Sequence, residues 1–448
     1  MKKQISTRFS MISRFNSNRL LILMGVVIIT IMIDSEIGLV SDFIPERISS
    51  SIGLAIFIGI AIIFALTQFF ILFYVKQSNK ETSARALYVD LTHSIVSVVQ
   101  YVLVGILAFV ILQILTTQQY NLVTLYVSYA LSYGLWIVTL GLLAKALLDW
   151  YRLSSKNIIV LLLALSMIAY VINGIAGLAT YFDMLGQQKP VITSNDIAYF
   201  PEFSIATLGT QITLIYQIAA TAAYVLTWIG TVKLLYPYIK KLGKIKFWIM
   251  MGAAMVYYLI TLPLFVLGYF SASENMDALT NILITSLGGI FTGVIFGAAF
   301  LSVARTLRKD TSLRIHMSLA AYGFVLFYIA GSAYAAQAAY PPFGLASVSI
   351  TGLSCYLIFS GLYSSAVTVS QDTTLRQSIR KSVTEQSKLL DSIGTAHMEQ
   401  ELQSRVLTIA KKNSDALAEE CGVETSLTED DMKDYLEVVI NELHSKEG

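Results

Sequence analysis

Asp90 and His93 are the two side chains whose types and spacing best suit proton or metal chemistry. They lie three residues apart at the start of a long apolar run, a spacing that places both on one face of a helix. An imidazole beside a carboxylate can carry a proton or contribute to a metal site. We expect instead a hydrogen-bonded pair at the membrane interface, with the proton or metal role as the alternative.

Neutral polar side chains recur near the middle of several apolar runs. Such groups could bind a small polar ligand or tie neighbouring helices together by hydrogen bonds, and we expect the second role. The set comprises Gln68, Gln100, Asn173, Gln211, Gln217 and Gln337. The candidate ligand or packing positions are Asp90, His93, Asn173, Gln211 and Gln217.

An acidic group follows the first apolar run. Asp34 and Glu36, together with Asp42 and Glu46 further along the chain, make a patch that could attract cations. We expect Asp34 and Glu36 to belong to a solvated helix end, since an unpaired charge is costly in hydrocarbon.

Cofactor and enzyme motifs are missing from the sequence. His93 and His316 lie near the same end of their apolar runs, so a haem iron held between them is a conceivable but disfavoured alternative. There is no phosphate-binding glycine loop, no zinc-ligand spacing and no nucleophile elbow. The sequence therefore predicts no catalytic residue, no metal and no cofactor, and it favours a protein that is not an enzyme.

The composition places most of the chain in lipid. Of its 448 residues 55% are hydrophobic and 13% are charged, whereas soluble proteins carry about 25% charged residues. Ten continuous apolar stretches are long enough to cross a bilayer as helices, which satisfy every backbone group internally. The sequence thus predicts an all-α, polytopic membrane helix bundle. The stretches are 20–40, 50–75, 88–116, 122–148, 157–183, 206–235, 247–270, 278–304, 315–339 and 345–369.

Lysine and arginine set the orientation. Outside the tail they cluster in the N-terminus and on alternate connections, while only Arg47 and Lys189 lie on the opposite side. Because basic residues concentrate on the cytoplasmic side, we expect both termini in the cytoplasm of a multi-pass cell-membrane protein. The predicted units are a basic N-terminus at 1–19, a ten-span bundle at 20–369 and an acidic helical cytoplasmic tail at 370–448.

Small residues indicate two close helix contacts. Gly289, Gly293 and Gly297 recur every four residues and give one smooth helix face. This face suits either a sliding or dimerising interface or packing within the chain, and we expect the second. The last apolar span, 345–369, is rich in serine, threonine and glycine, which predicts a central position in the bundle, with a polar cavity lining as the alternative.

The tail repeats apolar residues at helical spacing. We expect the last span to continue without a break into this helix, with Gly394 as a hinge. The amphipathic stripe must be covered by a second copy in a coiled coil, by basic cytoplasmic loops or by a partner protein. Its net acidic charge argues against nucleic acid. The stripe consists of Leu375, Ile379, Val383, Leu390, Ile393, Leu402, Val406 and Ile409.

Three features carry a resemblance to known proteins. The turn Tyr-Pro-Pro-Phe-Gly at 340–344, the serine- and glycine-rich last span and the run Leu-Arg-Gln-Ser-Ile-Arg-Lys at 375–381 resemble archaeal multi-pass membrane proteins of unknown function. The expected membrane-to-tail helix also resembles the signalling helix of membrane sensor kinases, whose catalytic half has no counterpart here. The resemblance implies a sensor-like or scaffold role and assigns no site residues.

Three functions follow as hypotheses. The first is a sensor, signalling or interaction protein that passes the state of the bundle to its tail, with the bilayer and a homodimer or partner protein as contacts. The alternative is a secondary transporter of a small solute. Ten spans divide into two groups of five that start from opposite sides, as an inverted repeat requires, and broken helices at spans one and six would support it. The third is a structural subunit of a membrane complex.

Overall fold

The computed structural model describes residues 17–40, 51–82, 87–153, 157–193, 208–266, 278–306, 312–332, 340–380 and 385–421. Within these ranges the chain is almost entirely helical. The longer helices are α1 Ser17–Val40, α2 Ser51–Thr82, α3 Leu87–Thr117, α4 Val123–Leu153, α5 Ile158–Gly186, α6 Leu208–Leu235, α8 Lys244–Val266, α9 Ala278–Thr306, α10 Ser312–Ser332, α11 Leu345–Gln371 and α13 Glu385–Cys421. The shorter elements are β1 Gln119–Asn121, β2 Val191–Thr193, a 3-10 turn Tyr236–Tyr238, α7 Ile239–Leu242 and α12 Thr373–Arg380.

A helix lies in each of the ten predicted spans. Among the described residues, eight helices (α2 to α6 and α9 to α11) contain a stretch long and apolar enough to cross a membrane, and α1 has a shorter apolar stretch at Ile22–Ser35. The predicted all-α helix bundle is therefore confirmed, and its apolar helices indicate an integral, multi-pass membrane protein. The number of crossings and the side of the termini stay predictions.

Helix α11 is the centre of the bundle. Its most apolar segment is buried throughout, and it packs against α1, α2, α3, α4, α10 and the two tail helices. Small residues permit the closest contacts: a Cβ on Gly361 would lie 2.5 Å from the Ala320 nitrogen, and one on Gly352 would lie 2.7 Å from the Ser132 carbonyl oxygen. The central position expected from the small residues is confirmed.

The glycine stripe of α9 faces α10. A Cβ on Gly293 would lie 2.9 Å from a backbone oxygen of α10, and one on Gly297 would lie 2.8 Å from another. On its other side α10 presents Gly323 to the backbone of α11, 2.7 Å from the Ile358 nitrogen. Close packing within the chain therefore accounts for Gly293 and Gly297. Gly289 is buried in the same helix.

Two short strands connect the loops at one end of the bundle. β1 and β2 pair antiparallel, with Tyr120 opposite Ile192, and both side chains are buried. The Leu122 amide also donates to the Pro190 oxygen at 2.9 Å. This pairing ties the α3–α4 connection to the segment that follows α5.

The last span does not continue unbroken into the tail, so that prediction was wrong. Helix α11 ends at Gln371, and Asp372 adopts an extended conformation. Its Oδ1 accepts the amides of Thr374 and Leu375 at 2.9 and 3.0 Å, which makes Asp372 the N-cap of α12. The backbone hydrogen bond from Leu375 is the main reason why the pKa of Asp372 lies below its usual value. The carboxylate begins a new helix where the old one would have continued.

Gly394 is not a hinge, which corrects a second expectation. It lies inside α13, in a continuous helix from Glu385 to Cys421. A Cβ at this position would overlap the Val369 side chain of α11. The glycine is therefore needed for close approach: α13 folds back and packs against α11, α4, α5 and α6.

Candidate functional site: polar contacts of the central helix and the docked tail

His93 forms the polar contact between α3 and α11. Its Nδ1 lies 2.9 Å from the Tyr356 hydroxyl and its Nε2 lies 3.3 Å from Ser97 Oγ. These hydrogen bonds involve Tyr356 and Ser97 rather than Asp90, which is exposed and accepts from Ser94 through its main-chain oxygen. Both ring nitrogens thus contact hydroxyls, and the contact with Tyr356 links α3 to α11.

Asn79 joins α2 to the same face of α11. Its amide nitrogen lies 3.5 Å from Ser360 Oγ, and its amide oxygen accepts from the Ser364 hydroxyl at 3.2 Å. All three residues are buried. Because a buried amide is costly unless its groups are paired, these contacts fix the position of α2 against α11.

Gln68 and Gln100 bridge three helices. Gln68 Nε2 donates to the Gln100 main-chain oxygen at 2.9 Å, and Gln100 Nε2 donates to the Ser349 main-chain oxygen at 3.3 Å. Both side chains are fully buried, and neither amide oxygen has a hydrogen-bond partner among the described residues. The expected role in tying helices together describes this pair.

These contacts lie along one face of α11. Ser349, Tyr356, Ser360 and Ser364 recur at helical spacing and cover about 22 Å of helix, most of a hydrocarbon layer of about 30 Å. The face therefore meets α2 and α3 through hydrogen bonds rather than through apolar contacts alone, which gives the three helices a defined register.

Asp34 joins α1 to α11 through a polar contact. The prediction that it belongs to a solvated helix end is wrong. The carboxylate is fully buried. Its Oδ1 accepts the Gly344 amide and its Oδ2 accepts the Ser347 amide and hydroxyl, all at 2.9 Å. These groups form the N-terminus of α11, where unpaired amides and the helix dipole favour a negative charge. Asp34 thus caps another helix from a distance.

Among the described residues, no hydrogen bond joins the candidate side chains of Asn173 on α5 and Gln211 and Gln217 on α6 to one another. Asn173 is buried and donates from Nδ2 to the Tyr216 main-chain oxygen at 3.0 Å, tying α5 to α6. Gln211 is exposed and Gln217 is half-buried. His316 is buried in α10. Among the described residues no group of three or more His, Cys, Asp or Glu could hold a metal ion.

His397 attaches the tail to the bundle. Its ring packs edge-on against both Trp150 of α4 and Tyr363 of α11, with ring centres 5.9 and 5.6 Å away. Trp150 Nε1 also donates to Gln400 Oε1 at 3.3 Å. Burial lowers the pKa of His397, and the carboxylate of Glu401 opposes that shift. Two bundle helices therefore build one seat for α13.

The apolar stripe of the tail divides into a covered and an open half. Ile379, Leu390 and Ile393 are at most 5% exposed, and Leu375 is half-buried. The distal residues Leu402, Val406 and Ile409 are 51%, 42% and 60% exposed, whereas Val383 lies outside the described residues. α13 packs against the bundle helices α4, α5, α6 and α11, and α12 packs against α11 and α13, whereas the expected occupants were a second copy, the basic cytoplasmic loops or a partner protein.

Scans of the chain against protein-family models, curated proteins and solved structures find no match.

Proposed function

We propose that this protein is a membrane signalling or interaction protein whose bundle passes its packing state to the cytoplasmic helix α13. The observation that carries the proposal is the seat of His397, formed by Trp150 of α4 and Tyr363 of α11. A helix seated on two others responds to any change in their relative position.

The physical basis of this coupling is the close packing of α11. Its polar face is bound to α2 and α3, and its N-terminus is held by Asp34 of α1. A ligand or membrane state that moves these helices shifts the end of α11, and with it Val369 and Tyr363 beneath α13. Signal transfer then needs two arrangements of the seat with different affinities for the tail helix.

The output surface is the open half of the stripe. Leu402, Val406 and Ile409 are separated by four and three residues, the spacing of a coiled-coil seam. A second copy of the tail is the proposed partner, and the resemblance to sensor-like signalling helices applies to this segment. With both copies in the cell membrane, the two cytoplasmic tails would pair beside the bundles.

The secondary transporter receives less support. Broken helices at the first and sixth spans would have favoured it, but α1 and α6 are each continuous through the residues described. No contact among the described residues favours a structural subunit.

Cysteine crosslinking in native membranes tests the proposal. Single cysteines replace Leu402, Val406 or Ile409 in a background with Cys355→Ser and Cys421→Ser, and Ser404 and Thr408 supply opposite-face positions. We expect disulfides between copies on the stripe and few on the opposite face. Equal yields on both faces, or no crosslinks on the stripe, would contradict pairing.

A second variant tests coupling to the bundle. Gly394→Leu cannot keep the contact with Val369, so α13 should leave its seat and the crosslinking yield on the stripe should change severalfold. Gly252→Leu is the matched control, since a Cβ there meets nothing within 4 Å. If the yield is the same in both variants, the state of the seat does not reach the stripe and the coupling proposal fails.

A further inference from the structure

A groove of about 450 Å³ runs between α4 and α5. Its walls include Gly141 of α4 and Ile168 and Ile172 of α5, and its polar residues are Lys145, Asp149 and Arg152 of α4. Ile172 is 45% exposed. The groove therefore opens on the outer surface of the bundle and has an apolar part and a charged part.

The two parts lie at different membrane depths. Arg152 is in the last turn of α4, beside Tyr151, a residue type typical of the membrane interface. Gly141 lies about 16 Å deeper along the same helix. The apolar walls thus reach toward the middle of the bilayer, while the charged residues lie at the level of lipid headgroups, whichever side of the membrane is cytoplasmic.

The charges lie on one helix face. Lys145, Asp149 and Arg152 follow at spacings of four and three residues, which places them in one row. Lys145 and Arg152 are exposed and Asp149 is half-buried. No ion pair joins these three side chains in the part of the chain that the structure describes. Together they carry one net positive charge, which complements a single phosphodiester.

We propose that this groove binds a phospholipid with an anionic headgroup. Lys145 and Arg152 hold the phosphate by charge-assisted hydrogen bonds, and the Asp149 carboxylate accepts a hydrogen bond from a headgroup hydroxyl. One acyl chain lies along Gly141 and Ile172. Basic pockets between membrane helices at this depth recognise acidic lipids by the same combination of charge and apolar contact.

A lipid fits better than a free anion because the apolar walls need an occupant. Lining by Ile168 and Ile172 contributes nothing to binding a soluble phosphate, whereas an acyl chain fills that space and places its phosphate beside the basic pair. The inference does not depend on the signalling proposal, since lipid binding requires no change at α13.

Native mass spectrometry of the purified full chain tests this site. Dioleoyl phosphatidylglycerol and dioleoyl phosphatidylcholine are added at equal concentration in detergent, and the ratio of the two bound lipids is measured. We expect phosphatidylglycerol to be preferred severalfold. Lys145→Gln with Arg152→Gln should bring the ratio close to one, and Lys244→Gln with Lys246→Gln, which removes two exposed lysines of α8, should leave it unchanged.

Three outcomes would overturn the proposal. The first is equal binding of the two lipids by the unaltered chain. The second is an equal loss of preference in the α8 control variant, which would indicate a diffuse charge effect. The third is complete displacement of phosphatidylglycerol by inorganic phosphate, which would show that the acyl chain plays no part. Retention of the far-ultraviolet helical signal confirms that each variant is folded.

Discussion

Asp34 shows how one buried carboxylate can organise two helices at once. The N-cap position of α11 is Gly344, which has no side chain to accept the first amides of the helix. Asp34 of α1 supplies that acceptor. Because a buried amide is costly without a hydrogen-bond partner, the pairing with Asp34 fixes α1 on the end of the central helix.

Replacing Asp34 should therefore destabilise the bundle. Asp34→Ala leaves the Gly344 and Ser347 amides buried and unpaired, and we expect the free energy of unfolding to fall by about 1–3 kcal/mol. Denaturant unfolding in mild detergent, followed by helical circular dichroism, measures the change. Asp90→Ala removes an exposed carboxylate and serves as control. Equal stability of the two variants would show that the cap contributes little.

The sequence could indicate this residue only in part. A carboxylate at the end of an apolar run indicates that hydrogen-bond donors must lie nearby, and a helix that begins after glycine lacks a side-chain acceptor at its N-cap. The two residues, Asp34 and Gly344, lie 310 positions apart. Spacing along the chain relates only residues that are close in sequence. For the same reason the sequence pairs His93 with Asp90, three residues away, and does not indicate Tyr356 of another helix.

At the scale of elements, the tail helix is the part that the sequence described least well. Its amphipathic stripe predicted a buried face correctly for Leu390 and Ile393. Periodicity indicates that a face is covered but not what covers it, so the expected occupants were a second copy, the basic cytoplasmic loops or a partner protein, and the bundle helices were not among them. A glycine in a helical stretch is similarly ambiguous, because its flexible backbone permits a hinge and its missing side chain permits close packing. For Gly394 the contact with the Val369 side chain of α11 shows that close packing is the reason.

His397 makes docking of α13 dependent on pH. Burial lowers its pKa in the docked tail, whereas an undocked histidine has a pKa of about 6.5. Above that value the ring is neutral in both states, so docking keeps its full stability. As the pH falls from about 6.5 toward the lowered pKa of the docked state, the undocked form binds more protons and docking weakens.

Thiol labelling measures this effect. Ile393→Cys reports on the buried half of α13 and Leu402→Cys on the open half, and the ratio of their labelling rates removes the intrinsic dependence of thiol reactivity on pH. We expect the labelling rate of Ile393→Cys divided by that of Leu402→Cys to increase as the pH is lowered from about 7.5 to about 5. His397→Phe keeps an aromatic ring against Trp150 and Tyr363 but cannot titrate, so its ratio should stay constant. A rise of the same size in His397→Phe would assign the effect to another group.

At the scale of the whole molecule, the apolar composition of the chain is enough to predict where the membrane helices lie. Continuous apolar stretches predict helices because hydrocarbon offers the backbone no other partner, and each predicted span contains one. The order of packing did not follow from composition, since lipid and leucine are equally apolar and the contacts depend on small residues such as Gly352 and Gly361. The basic residues predict which connections lie in the cytoplasm, whereas helix packing alone does not indicate the side of the membrane.

That orientation can be tested with three cysteines. Gln119 and Lys189 are exposed on connections separated by α4 and α5, and Lys244 is exposed beyond α6. An odd number of crossings separates Lys244 from the other two, so a membrane-impermeant maleimide should reach Gln119→Cys and Lys189→Cys in intact cells and Lys244→Cys only after permeabilisation. The background carries Cys355→Ser and Cys421→Ser. The opposite pattern would place the basic connections outside, against the expected retention of positive charge in the cytoplasm; labelling of all three from one side would instead show that α6 does not cross the membrane.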